Sequence, residues 1–437
     1  MEKFFKIKAH GSNYRKEIIG GIVTFFTMAY IIFVNPNYLS MTGMDFTAVM
    51  LATCISAAIG TLLTGLFANV PFAQAPGMGL NTYFTFTICL GMGYTWQQGL
   101  AIVLISGIIF LIVSISPLRK MIISAIPAFL KNAISAGIGL FIALIGMFNS
   151  GIVAAFGDGS LGGYVDMGNI TSGTALLALI GLIITALLLV WKVKGAIFIG
   201  IIITTIIGIP MGITTFEWSS TSFSALSKTF LQMDFHGLAS LGILPLISAI
   251  LTFAVIDCFD TVGTLIGTAS NAGMLDENGN LHGGDRALIA DAAATCVGAC
   301  FGTSTVTTFV ESSSGIAEGA RTGLSSVVVG ILFLLATFLA PVAGVIPSAA
   351  CSPALIIVGV YMIKGAANID WSDMEIAIPA FLTIAVMPFA YSISDGIAFG
   401  MISYTLIKIF RGKAKEVPVL VYILSIIFLA AYIIPKL

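Results

Sequence analysis

The sequence predicts an all-α polytopic membrane protein, and its composition and hydropathy pattern carry that prediction. Of the 437 residues, 58% are hydrophobic and 9% are charged, whereas a soluble domain carries about 25% charged residues. The mean hydropathy is +1.06. Apolar runs of membrane-spanning length follow one another along nearly the whole chain. A soluble protein of this size would need far more charge to cover its surface.

Fourteen runs are candidate membrane segments, because a span needs about 20 apolar residues and fewer where its helix is broken. A polar connector at 213–241 separates them into two sets of seven. The first set is 18–39, 47–68, 76–91, 97–116, 125–148, 172–191 and 195–212. The second set is 243–269, 286–301, 310–320, 323–345, 352–364, 375–390 and 395–410. A last run at 417–435 either crosses the membrane or lies against the bundle as an extra C-terminal helix.

The distribution of positive charge predicts the orientation. Cationic side chains cluster before the first segment and after the fourth, sixth and fourteenth, whereas the loops 149–171 and 213–241 hold only Lys228. Cytoplasmic loops are the ones enriched in Lys and Arg. We therefore expect a cytoplasmic N-terminus and, since 1–17 lacks the layout of a cleavable signal, a retained first span in a bacterial-type plasma membrane.

Several function classes are disfavoured. The net charge of −1 gives no reason to expect nucleic acid. The six cysteines lie in apolar or small-residue segments without a CxxC or Cys–His pattern, so we expect no disulfide, metal or cofactor. No Walker A sequence is present, which argues against an ATP-driven pump. No nucleophile–base pair indicates an enzyme.

A weak internal repeat links the two sets of segments. Thr53-Cys54 and Gly60-Thr61 recur with the same spacing as Thr295-Cys296 and Gly302-Thr303, and FAQAPG (72–77) has a looser echo in FVESSSG (309–315). Because seven is odd, the second copy must enter the membrane inverted. Inverted repeats with two short, interrupted segments in corresponding positions point to a secondary transporter with its site between them. Chance similarity among small-residue helices is the alternative.

The first short segment is QAPGMGLNTYFTF (74–86). Pro76 and the glycines interrupt the helix, so this backbone must line a cavity or be buried in protein. A helix starting near Gly79 would point N–H groups at a ligand, and the Asn81 amide offers both donors and an acceptor. A simple kink, with Asn81 in an interhelical hydrogen bond, is the alternative.

The second short segment supplies Glu311. An ionised carboxylate accepts hydrogen bonds from ring N–H groups, and a protonated one can donate a hydrogen bond. Glu311 is therefore a candidate for substrate binding or for carrying a proton. The alternative is a structural Glu bonded to nearby hydroxyls. We interpret Glu318 and Arg321 as a salt-bridged end of this segment rather than as ligand contacts.

In DCFDTVG, Asp257 and Asp260 lie three residues apart, on nearly the same helical face. Two buried carboxylates this close would repel each other, which allows a proton to be held at neutral pH. In one division of roles, Asp260 binds the substrate and Asp257 carries the proton or is structural. Asp291 and Asp395 are interpreted as structural lone carboxylates near span ends. Aromatic side chains could stack on a planar ring, although each is more often packing: Phe26, Tyr30, Tyr83, Phe84, Phe86, Phe259 and Phe309.

Four blocks in order, GGIVTFFTMAYIIFVNP (20–36), APGMGLNTYF (75–84), DCFDTVGT (257–264) and VESSSGIAEGARTG (310–323), resemble the AzgA-like adenine–guanine–hypoxanthine permeases. These belong to the nucleobase–cation symporter and nucleobase–ascorbate transporter group. The resemblance covers essentially the whole chain. It implies proton symport of purine nucleobases, hypoxanthine or guanine and possibly adenine, with no catalytic chemistry. Same-fold carriers of anions such as sulfate, or of uracil or xanthine, are the alternatives, and a channel is a further one.

The resemblance also implies an architecture of about 14 segments in 7+7 inverted repeats. Segments three and ten would each join a short strand to a half-helix. The implied divisions are a cytoplasmic N-terminus (1–17), a core domain (18–116 and 242–345), a gate domain (117–212 and 346–410), an extracytoplasmic connector (213–241) and an extra C-terminal helix (411–437). A homodimer is implied as well.

Carried over residue by residue, the implied purine contacts fall on Gly79, Asn81, Asp260 and Glu311, with Phe259 and Ser312 beside them. Relatives have Gly three residues after the acid of segment eight, as Gly263 follows Asp260, which favours Asp260 over Asp257 for the substrate. Asp257, Asp260 and Glu311 are the proton-coupling candidates. The QH dipeptide of the ascorbate-transporter branch is missing, and Gln74-Ala75 stands near its place, which favours purines over xanthine or uracil.

Overall fold

The computed structural model of the chain is a helical bundle, with short strands at its centre and in one connection. It describes residues 2–116, 127–156, 164–215, 223–238, 242–275, 281–339 and 345–433. Within these residues, eight helices are long and apolar enough to cross a membrane by length and composition. Each of the fourteen predicted segments contains a helix. The predicted all-helical membrane fold is therefore confirmed at this level.

The elements follow the predicted order of segments. The first half contains α1 (Glu2–Phe5), α2 (Tyr14–Met28), α3 (Ile31–Leu39), α4 (Phe46–Leu63), β1 (Gln74–Pro76), α5 (Met78–Thr82), α6 (Trp96–Ile115), α7 (Ala128–Ser150), β2 (Val153–Phe156), β3 (Tyr164–Met167), α8 (Gly173–Val190) and α9 (Ala196–Gly208). The second half contains α10 (Ile243–Asn271), α11 (Gly284–Phe301), β4 (Val306–Thr308), α12 (Ser312–Ala317), α13 (Gly323–Ala336), α14 (Ser348–Ile363), α15 (Met374–Phe389), α16 (Ile393–Phe410) and α17 (Val419–Ile433). After α5 the chain continues as π-helical turns over Tyr83–Gly91.

The strands β1 and β4 pair antiparallel in the interior of the bundle. Gln74 lies opposite Thr308, Ala75 opposite Thr307 and Pro76 opposite Val306, and all six residues are buried. Backbone groups inside a membrane must be satisfied within the protein, and this pairing does so where the helices are interrupted. Each strand leads directly into a short helix, β1 into α5 and β4 into α12. The strand and half-helix expected in segments three and ten are both present.

Helix packing falls into two groups. In the first group α13 packs on α2 and α4, α11 on α4 and α6, and α10 on α6. In the second, α14 packs on α7, α8 and α9, and α15 packs on α7 and α16. Helix α17 lies against α16 and α10.

Two glycine contacts show how closely the helices approach each other. A Cβ at Gly315 of α12 would stand 2.3 Å from the carbonyl oxygen of Gly20 in α2. A Cβ at Gly359 of α14 would stand 2.5 Å from the carbonyl oxygen of Gly139 in α7. Small residues at such positions allow backbones in membrane bundles to touch. One contact lies in each group of helices.

The connector between the halves is tied to the bundle. Its described part includes a 3₁₀ turn at Phe223–Lys228, and Lys228 Nζ lies 2.5 Å from Asp45 Oδ2 at the N-terminus of α4. The predicted connector also covers 216–222 and 239–241, which lie outside the described residues.

Candidate functional site

Glu311 stands at the start of α12, directly after β4. The hydroxyl group of Tyr30 donates a hydrogen bond of 2.8 Å to Glu311 Oε1, and the Thr27 hydroxyl lies 3.4 Å from the Glu311 carbonyl oxygen. The next residue, Ser312, is fully buried and accepts a hydrogen bond from the backbone N–H of Ala73. Glu311 itself is partly exposed. Its carboxyl group is therefore held from one side and open on another.

Asp260 faces open space from the middle of α10. It is exposed, whereas Asp257, one turn earlier, is buried. A Cβ at Gly263, one turn later, would meet no atom within 4 Å. Asp260 interacts with the Thr307 hydroxyl of β4 and lies close enough to Glu311 for an electrostatic interaction. Exposure within an apolar helix surrounded by others indicates that Asp260 and Gly263 line a cavity.

The first half-helix approaches β4 from the other side. The Gly77 N–H donates to the Thr305 carbonyl at 3.1 Å, and a Cβ at Gly77 would stand 2.7 Å from Thr307 Oγ1. Asn81 is fully buried, and its Oδ1 accepts a hydrogen bond from the Ser304 hydroxyl. Gly79 faces the second group of helices, where an added Cβ would stand 2.9 Å from Cγ2 of Ile138 in α7.

The structure places the four substrate candidates carried over from the resemblance beside the antiparallel pair of β1 and β4. Gly79 and Asn81 come from the first half, and Asp260 and Glu311 from the second. The backbone of Phe259 belongs to α10, but its side chain lies outside the described part of the structure. Among the other aromatic candidates, Phe309 lies beside Tyr30 with ring centroids 6.4 Å apart.

Asp291 corrects the prediction of a lone carboxylate near a span end. It lies well inside α11 and is fully buried. Gln74 Nε2 at 3.1 Å and Thr308 Oγ1 at 2.8 Å both donate to its Oδ1, and Thr261 Oγ1 donates to Oδ2 at 2.8 Å. Because Gln74 and Thr308 are register partners, Asp291 fastens β1 to β4. The predicted position near a span end was wrong, and the structural role stays a prediction.

Asp257 belongs to the same buried polar cluster. The Thr295 hydroxyl lies 2.9 Å from Asp257 Oδ2 and 3.1 Å from the Val306 carbonyl oxygen, and its single proton can serve only one of them at a time. Asp257 Oδ1 has no hydrogen-bond partner among the described residues. Asp257 also lies close enough to Asp291 for an electrostatic interaction. The sequence spacing suggested a pair of Asp257 with Asp260. In the structure, Asp257 contacts Thr295 and interacts with Asp291, both of which belong to α11.

A salt bridge does end the second short segment, although not the expected one. Glu318 pairs with Lys194 in the turn between α8 and α9. Arg321 instead donates from Nη1 to the carbonyl oxygens of Ile316 at 2.6 Å and Ala320 at 2.7 Å. These contacts cap the segment and join it to the second group of helices.

Tyr30 is the residue whose role sequence reasoning missed. It was one of seven aromatic residues considered for stacking, yet it makes the hydrogen bond to Glu311. It occupies the break between α2 and α3, which together with the turn that follows form a candidate span from Tyr14 to Thr42. Nothing in the local sequence marks this break, because Pro36 lies further on, inside α3.

Comparison with solved structures identifies the class of the fold. The transmembrane domain of the cyanobacterium bicarbonate transporter BicA is similar with a TM-score of 0.68 at 16% identity, over 89% of this chain and 97% of that one. The structure of SLC26A9 has a TM-score of 0.63 at 12% identity, over 91% and 65%. The chain therefore shares the fold of these membrane domains.

Sequence comparison then identifies the family. The chain belongs to the permease family known as Xan_ur_permease, whose model matches residues 15–399. The guanine/hypoxanthine permease PbuG of Bacillus subtilis is 44% identical over 100% of both chains. The adenine permease AdeP of Escherichia coli is 40% identical over 99% of this chain and 97% of its own length. The predicted family is confirmed, and the chain is a permease rather than an enzyme.

Proposed function

We propose that this permease imports purine nucleobases, hypoxanthine and guanine foremost and adenine as a further candidate, by proton symport across the cell membrane. The observation that carries the proposal is the pair of acids, Glu311 and Asp260, that interact electrostatically beside the antiparallel pair of β1 and β4. The names of the relatives, adenine and guanine/hypoxanthine permeases, support the substrate class. A neutral purine carries the ring N–H groups that two carboxylates accept.

Recognition would divide between the two halves. Glu311 and Asp260 would bind the N–H edge of the purine, and Asn81 with the backbone amide near Gly79 would bind its other edge. Asn81 now contacts Ser304, so it would exchange that contact for the ligand. Ser312 and Phe259 would flank the site. The contacts described for this site include two acids and no Lys. Because acids repel an anion, this arrangement disfavours an anion as the substrate.

The coupling proton would reside on a buried carboxylate, with Asp257, Asp260 and Glu311 as candidates. Asp257 is well placed, because its Oδ1 lacks a partner while nearby Asp291 receives three donors. Donors stabilise an ionised carboxylate, so of these two acids Asp257, which has fewer donors, would hold the proton. Protonation from outside would favour purine binding, and deprotonation on the cytoplasmic side would release the purine.

The transport movement would shift a core domain (18–116 and 242–345) against a gate domain (117–212 and 346–410), built as two inverted repeats of seven segments. One strand of the central pair comes from each half, which supports the repeat. The matching threonines of the repeat also make similar contacts, because Thr53 bonds to Asn35 in the first half and Thr295 bonds to Asp257 in the second. These contacts support the repeat as well. The ligand shifts this equilibrium only by its differential affinity for the two states. A homodimer with cytoplasmic N-termini completes the proposal.

The test is uptake of radiolabelled hypoxanthine, guanine, adenine and uracil into cells that lack their own purine carriers, with and without a protonophore. Saturable uptake of purines that collapses with the protonophore is the expected result. Absence of uptake for every nucleobase would contradict the substrate class. Purine uptake that persists with the protonophore would contradict proton coupling while leaving the substrate in place.

A further inference from the structure

We propose that Tyr30 is the positioning residue of the site: it fixes the carboxyl group of Glu311 in the orientation that receives the purine. This inference rests on the proposed function. The Tyr30 hydroxyl donates to Glu311 Oε1 at 2.8 Å, and the Tyr30 side chain is 2% exposed.

Two residues at and near the break between α2 and α3 contact Glu311. Tyr30 holds the side chain, and Thr27, three residues earlier, places its hydroxyl 3.4 Å from the Glu311 carbonyl oxygen. The ring of Phe309 lies against that of Tyr30, with centroids 6.4 Å apart. The half-helix α12 also packs on α2. Glu311 is therefore positioned by segment one rather than by its own segment alone.

The hydrogen bond has two chemical consequences. It uses one acceptor position of Oε1 and orients the carboxyl group, so that its remaining acceptor positions can receive a purine N–H. A neutral O–H donor also stabilises the ionised carboxylate. Asp260 of α10 also interacts electrostatically with Glu311, so a second acid lies beside the carboxyl group that Tyr30 holds. Tyr361 of α14 also interacts electrostatically with Glu311, whereas Tyr30 makes the direct hydrogen bond.

Tyr38 provides a matched control within the next helix, α3. It is 1% exposed, and its hydroxyl has no hydrogen-bond partner among the described residues. The variant Tyr38→Phe removes the same atom from an equally buried ring. It therefore measures the effect of losing a buried hydroxyl without the loss of a contact to Glu311.

The experiment measures initial rates of hypoxanthine uptake by the wild type, Tyr30→Phe and Tyr38→Phe over a range of concentrations and external pH. Hydrogen bonds to charged groups predict a rise in KM of about tenfold for Tyr30→Phe. The pH at which uptake falls on the alkaline side should stay that of the wild type, because the proposed proton carrier is Asp257 rather than Glu311. Tyr38→Phe should keep the KM and pH profile of the wild type. Equal changes in both variants, or none in Tyr30→Phe, would overturn the inference.

A stability cycle separates this inference from the proposed function. Unfolding of purified protein is measured for Tyr30→Phe, Glu311→Gln and the double variant, and a direct contact predicts effects that are not additive. Additive effects would overturn the positioning role even if the wild type transports purines. A wild type that transports no nucleobase would contradict the proposed function, and the cycle would still decide whether Tyr30 holds Glu311.

Discussion

The two short segments have the same construction and opposite surroundings. In the first, every residue from Gln74 to Cys89 is buried except the partly buried Gly79. In the second, β4 is buried, but Val310 is 51% exposed, Glu311 is partly exposed and Ser313 is exposed. The first segment is therefore packed on all sides, whereas the second has residues that are accessible from outside the packed core. The ionisable group stands in the segment that has access, and the neutral amide stands in the one that is closed.

The largest expected effect tests whether the open segment carries the chemistry. Glu311→Gln keeps the shape and removes the charge, and loss of one partner in a buried charged hydrogen bond costs about 2–5 kcal/mol. Purine uptake should fall by about a hundredfold or more, with the protein still in the membrane by immunoblot. Asp260→Asn should act similarly.

The control is Glu318→Gln on the same segment, which removes the ion pair with the half-exposed Lys194. Exposed pairs contribute about 0–1 kcal/mol, so uptake should change little. Normal transport by both Glu311→Gln and Asp260→Asn would show that the open segment does not bind the substrate.

A second variant tests the link between the two segments. Asp291→Ala leaves the donors of Gln74, Thr261 and Thr308 without their acceptor, and a buried unsatisfied group costs about 1–3 kcal/mol. We expect the free energy of unfolding to fall by about 3 kcal/mol or more, measured by denaturation of purified protein. Asp370→Ala, in an exposed turn, is the control. Equal stability of the two variants would mean that β1 and β4 hold together without Asp291.

A third variant tests how tightly the open segment is anchored. A Cβ at Gly315 would stand 2.2 Å from Thr24 Oγ1 and 2.3 Å from the Gly20 carbonyl oxygen, so α12 must shift on α2. Overpacking of this kind costs about 1–3 kcal/mol. Gly263→Ala, where nothing lies within 4 Å, should leave the melting temperature unchanged or slightly raised. A Gly315→Ala protein as stable as wild type would show that α12 is loosely held.

The smallest effect comes from a contact remote from both segments. Partial burial raises the pKa of Asp45, but hydrogen bonds from Lys228 and from the Ala48 N–H outweigh it and hold the pKa below its usual value. Asp45→Asn should cost at most about 1 kcal/mol in this exposed setting. The contribution is present above an unfolded pKa of about 3.9 and is lost as pH falls through the lower folded pKa. A larger loss in unfolding experiments at pH 7 would contradict this assignment.

The parts of the site predicted from sequence are those with a local signal. Pro76 and the glycines around it break a helical pattern, and Glu311 is an acid in an otherwise uncharged run, so both segments could be located. Asp291 could not be placed, because its partners Gln74, Thr261 and Thr308 stand 217, 30 and 17 residues away. Tyr30 and Thr307 likewise gain their roles only from packing between distant segments. The strand in each segment was expected only from the family resemblance, because a strand of three residues is too short to leave a pattern in the sequence.

The pairing of β1 with β4 also has a consequence for biosynthesis. Ala73 donates to Ser312, 239 residues further along the chain, so segment three is synthesised long before its partner exists. Unpaired backbone groups in the hydrocarbon region cost several kcal/mol each. The nascent first half must keep β1 in contact with water or with the insertion machinery until segment ten arrives. The pairing that brings the candidate site together is thus also a late step in the assembly of the bundle.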